Sequence, residues 1–112
     1  MSEDNQIEIP QSFIGMHVPP GRSRPVASHE LILARYEQCE DMALTLVEHA
    51  QALAFKENFP EQDILARCHQ GLLADASGFA PTVSRWIVLR LAELLEWTAP
   101  EIVQLEAVRT IG

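Results

Sequence analysis

From Ser28 onward the apolar residues recur at helical spacing. Ile32, Tyr36, Cys39, Ala43, Leu46, Ala50 and Leu53 follow one another at intervals of four and three, and Met42 and Val47 widen the stripe. Such a seam suits a helix that packs lengthwise on another helix. Ser28 stands where a cap is wanted, Glu30 lies in the first turn where the helix dipole favours an anion, and Lys56 lies at the far end where it favours a cation. About 28 residues at 1.5 Å each give roughly 42 Å, more than a compact domain of this size needs. The helix is therefore expected either to kink or to lend its ends to a dimer.

Pro60 opens a second helix, with Glu61, Gln62 and Asp63 in its first turn and Ile64, Leu65, Cys68 and Leu72 on its buried side. Asp63 and Arg67 are spaced as an i,i+4 ion pair. Gly71 costs about 1 kcal/mol relative to alanine inside a helix, so the helix either ends there or needs a smooth surface for close packing. The adjacent Leu72 and Leu73 favour close packing. Asp75 to Ala80 reads as a loop, and Pro81 starts a third helix carrying Val83, Trp86, Ile87, Leu91, Leu94 and Leu95. Being apolar on most sides, that helix belongs at the centre. Thr98 and Glu101 form a capping box that begins a short fourth helix through Ile102, Leu105 and Val108.

The first 27 residues differ. They hold four of the seven prolines, Pro10, Pro19, Pro20 and Pro25, which exclude one long helix. Ile7 to Ile9 alternates like a short strand, while Pro10 to Met16 fits a helical turn opened by proline; the pattern leaves both readings open. Val18 to Pro25 reads as an extended, polyproline-biased arm with a glycine turn, bearing Arg22 and Arg24. Ile7, Ile9, Phe13, Ile14, Met16 and Val18 are too apolar for a solvated tail, so the arm should lie on its own domain or on a partner. The expected fold is all-α: a small bundle of about four helices with one long N-terminal helix (28–112), preceded by an extended proline-containing arm (1–27).

Composition narrows the function classes. At 112 residues and 47% hydrophobic the chain should form one small globular domain, and its net charge of −8 opposes association with phosphate backbones or anionic lipid, so neither nucleic acid nor membrane is expected as a partner. No basic-then-apolar leader opens the chain and no run approaches the ~20 apolar residues of a membrane span, which together point to the cytoplasm.

Candidate chemistry is sparse. Cys68, His69 and Cys39 are metal-ligand and nucleophile types, but adjacent helical residues point about 100° apart and no Cys-x-x-Cys or His-x-x-x-His completes a site, so both cysteines are expected to be buried, reduced and structural, with no metal or cofactor. Trp86, Arg90 and Trp97 fall near one face, where a guanidinium can stack between indoles or the rings can simply fill the core. Glu37, Glu40, Asp41 and Glu48 lie off the apolar seam, and the like-charged Glu37 and Asp41 destabilise a helix by a few tenths of a kcal/mol; a solvated face that keeps a small protein soluble is the first reading, and a basic partner surface that relieves the repulsion is the second.

The runs Ala34 to Asp41, Ile64 to Gly71 and Trp86 to Trp97, with Ile9 to Phe13 and Pro20 to Pro25 in the arm, resemble a family of small proteobacterial proteins of unestablished function, often labelled "ATPase with chaperone activity". The resemblance covers most of the chain and rests on packing and turn motifs, so it implies no catalytic residue. The residues oppose the first half of the label: a P-loop needs a glycine-rich cradle and a Gly-Lys-Ser/Thr run, whereas the one lysine, Lys56, stands between Phe55 and Glu57.

The sequence thus points to a small cytoplasmic protein–protein interaction or adaptor module without catalytic activity, expected as a homodimer. A small acidic chaperone for a client or secreted protein is the alternative, and a structural subunit of a larger complex a third. Phe13, Met16, Val18, Arg22 and Arg24 of the arm, with Glu37 and Asp41 of the long helix, are the expected partner-binding residues, and Leu46 and Leu53 the expected self-association residues.

Overall fold

The computed structural model describes residues 8–74 and 77–98. Among these the protein is all-helical, with α1 (Gln11–Gly15), α2 (His29–Lys56), α3 (Glu61–Leu73) and α4 (Pro81–Leu95), and no strand. The helix expected after Thr98 lies outside the described residues, as do Ile7 of the strand-like stretch and residues 75–76 of the loop before α4. The long helix forms where its caps place it: the Leu31 amide donates to Ser28 Oγ at 3.2 Å, and Lys56 is its last residue. Pro60 stands one residue outside α3, its carbonyl accepting from the Ile64 amide at 3.1 Å, and Pro81 is the first residue of α4.

The chain packs as two compact units, Met1–Cys39 and Glu40–Gly112, so the division falls inside α2 and not at the arm boundary, 27/28. The length of α2 then has a physical reason: its first turns and its later turns each serve a separate core.

In the first unit, Pro10 to Met16 takes the helical of the two open readings. The Phe13 and Ile14 amides donate to the Pro10 carbonyl, and α1 follows. Its one buried side chain, Phe13, meets Tyr36 edge to face with ring centroids 5.5 Å apart, and His17 at 5.2 Å. Ile9, Ile32 and Cys39 complete the buried set. After α1 the chain turns at Pro19 to Arg22, with Gly21 at φ +79°, a backbone region that favours glycine. The Val26 amide then returns to the His17 carbonyl at 3.3 Å and closes the loop before α2.

In the second unit, α4 buries Trp86, Ile87, Val88, Leu91 and Ala92, which spread over about 240° of its circumference at 100° per residue. That is the central helix its composition predicts. It packs on α3, whose Ile64, Leu65, Cys68 and Leu72 are buried as the spacing requires. The buried Ser84 hydroxyl of α4 donates to the Leu72 carbonyl at 3.0 Å, and Ser77 donates to the same oxygen, so a carbonyl left over at the end of α3 is satisfied from outside its helix. At the end of α4 the Trp97 amide donates to the Ala92 carbonyl at 2.9 Å and the Glu96 amide to Glu93 at 3.1 Å. This is a Schellman closure in which Glu96, at φ +61°, occupies the left-handed position that glycine usually takes.

Candidate functional site

Two side-chain expectations change once the second unit is assembled. Arg90 does not stack between indoles: its Nε donates to Glu40 Oε1 at 2.7 Å, its Nη2 to Glu40 Oε2 at 3.3 Å and its Nη1 to Glu93 Oε1 at 3.1 Å. A bidentate fork therefore ties α4 to α2, and Glu40 leaves the set of unpaired acids on that helix. Arg90 is held above its ordinary pKa, first because Glu40 accepts from it, against the opposing effect of burial, with Glu93 adding to the same end. Arg67, spaced to pair with Asp63, instead lays its guanidinium over the Phe59 ring, 4.5 Å from the centroid.

The arm residues expected to bind a partner divide. Phe13 is wholly buried in the first unit and presents nothing to a second protein; its place among the binding residues is corrected to a core role, because α1 turns the ring onto Tyr36 of the same chain. Met16 and Val18 are half-buried, and Arg22 and Arg24 are exposed, as are Glu37 and Asp41 on α2. Phe13 to Glu37 belong to the first unit and Asp41 to the second.

Leu46 and Leu53 are half-buried on α2. With His49 they form one wall of a groove of about 410 Å³, and α3 supplies the other from Arg67, Cys68, Gly71 and Leu72. Burial pushes the Cys68 thiol above its ordinary pKa, so it stays protonated and is a poor nucleophile. Gly71 is not a close-packing glycine: nothing lies within 4 Å of where a Cβ would stand, so the expectation of close packing there is corrected.

A second apolar surface lies at the C-terminal end of α2. Phe55 is 93% exposed there and shares a shallow cavity of about 510 Å³ with Gln51, Ala52, Ala54, Lys56 and Trp97. Sequence reasoning passed Phe55 over as the neighbour of Lys56. A signal was present: Phe55 lies two positions past Leu53, about 200° around the helix from the seam, where a large aromatic has no core to enter.

Among the described residues no three His, Cys, Asp or Glu side chains come together as a metal site, and no helix is long and apolar enough to cross a membrane. Comparison with protein-family models, with curated proteins and with solved structures finds no match.

Proposed function

We propose that this protein is a small cytoplasmic adaptor, without catalytic activity, that seats an apolar segment of a partner protein against the end of α2. The observation that supports this reading is Phe55, a phenylalanine left almost wholly in water beside Ala52, Ala54 and Trp97. Scattered exposed leucines are ordinary, but an aromatic on an apolar shelf is the usual anchor of a binding surface. Covering the ring on association contributes about 1.5–3 kcal/mol, a tenfold to hundredfold gain in affinity. Lys56 beside it gives the shelf a cationic edge in a chain of net charge −8, which favours partners carrying a carboxylate near their apolar anchor.

A chaperone reading draws on the same feature, because the shelf is shallow and accepts apolar segments of many shapes. Affinity purification from the native cell with the wild type and with Phe55→Ser separates the two. One stoichiometric partner, lost on substitution, supports the adaptor. Many unfolded clients, reduced together, support the chaperone. Capture unchanged by Phe55→Ser refutes the shelf as the site in either case.

A further inference from the structure

We propose that the groove between α2 and α3 binds the apolar ridge of an acidic amphipathic helix from a partner protein. It is distinct from the Phe55 shelf and shares no lining residue with it, so the two proposals fail separately.

The groove is built for close approach. Leu46 and Leu53, two turns apart on α2, are half-buried, and the buried Leu72 lines the groove with them from α3, giving it an apolar floor. Gly71 lies on that floor with open space above its Cα. An alanine there would stabilise α3 by about 0.5–1 kcal/mol, and among the described residues nothing lies within 4 Å of its Cβ to explain the glycine. A missing side chain over an open groove is what the backbone of a docking helix requires, since it brings that helix's ridge down onto the leucines. The volume of about 410 Å³ lies within the range of about 300–1,000 Å³ that ligand clefts occupy.

The rim selects the charge. In an acidic chain, the charged or ionisable groups lining the groove, other than the Cys68 thiol, are Arg67 and His49, and no described carboxylate lines it. Arg67 is held in place by the Phe59 ring, which occupies the face of the guanidinium and leaves its in-plane N–H donors for a carboxylate. His49, on the opposite wall, offers a ring nitrogen to a second polar group. A helix whose apolar i, i+4 residues enter the groove then sets an Asp or Glu on its flank against Arg67.

The test uses the full chain and a displayed library of 16-residue peptides on a helical framework, with ridge and flank positions randomised. Panning is done against the wild type and the variants Gly71→Leu and Arg67→Glu. A Cβ at Gly71 meets nothing within 4 Å, and circular dichroism confirms that each variant folds. The proposal expects enriched peptides with Asp or Glu beside an apolar i, i+4 pair. Their binding should shift the amide resonances of Leu46, Leu53, Arg67 and Gly71 and weaken at least tenfold in Gly71→Leu, and Arg67→Glu should turn the selection towards Lys and Arg. It is overturned if enriched peptides bind Gly71→Leu as well as the wild type, if their flanks carry no acid, or if they perturb the Phe55 shelf instead. Groove resonances that move with protein concentration alone would assign the groove to a second copy of this chain and overturn it equally.

Discussion

Replacing Phe13 by alanine separates a core role from a binding role in one experiment. The side chain is wholly buried, so Phe13→Ala should destabilise the first unit by about 3–5 kcal/mol, of which the edge-to-face contact with Tyr36 supplies about 0.5–1.5 kcal/mol. Phe13→Leu keeps most of the apolar volume and should cost about 1.5 kcal/mol or less. At about 4–8 °C per kcal/mol for a small domain, the alanine variant loses at least about 12 °C. The chain carries its own reporters, because its one tyrosine, Tyr36, lies in the first unit and both tryptophans, Trp86 and Trp97, lie in the second. Thermal melts followed by near-ultraviolet absorbance of Tyr36 and by tryptophan fluorescence therefore read the two units side by side. A large shift in the tyrosine melt with a smaller one in the tryptophan melt means that the units unfold separately, and coincident shifts mean that they unfold as one. If the alanine variant moves neither melt by more than about 2 °C, Phe13 is not a core residue and the cis docking of the arm is refuted.

Glu96→Gly should raise stability by about 0.5–1 kcal/mol, because the left-handed backbone costs a non-glycine residue about 1–2 kcal/mol and the freer unfolded chain returns part of that; a melting temperature unchanged or lowered contradicts the Schellman assignment. The raised pKa of Cys68 fixes a sign: the unfolded thiol ionises first, so stability is complete below the ordinary thiol value and falls as pH rises through the folded one. Urea titrations between pH 7 and 10.5 should show a decline above about pH 8.5 that Cys68→Ala removes, and an identical decline in that variant excludes Cys68 as its source.

What was legible in the chain was local. Ser28, Pro60 and Pro81 mark helix starts because capping and proline geometry act within one turn, and the seam residues Ile32, Tyr36, Cys39, Ala43 and Ala50 go inside because periodicity sets which face is apolar. The Glu40 to Arg90 fork was not legible, since 50 residues separate the partners and either charge reads alone as a solvated one. Nor was the link from Ser84 to the Leu72 carbonyl: a serine inside an apolar helix gives no sign of the neighbouring helix end that it completes.

The candidate surfaces failed to show for a related reason, which also says where binding should be sought. Periodicity identifies an apolar face but not how far a neighbour covers it, so Leu46 and Leu53 and the buried Ala43 and Ala50 belong to one seam although only the alanines are sealed. From Ala43 to Leu53 the seam alternates in cover: the two alanines are sealed, while the leucines remain half-exposed on the groove that Gly71 also lines. Phe55 stands off the seam entirely. In a chain this short the apolar area left uncovered is area withheld from the core, and it weakens a domain whose surface is large for its volume. Among the described residues, the groove and the exposed ring leave apolar area uncovered, and they are where contacts with another molecule should be sought.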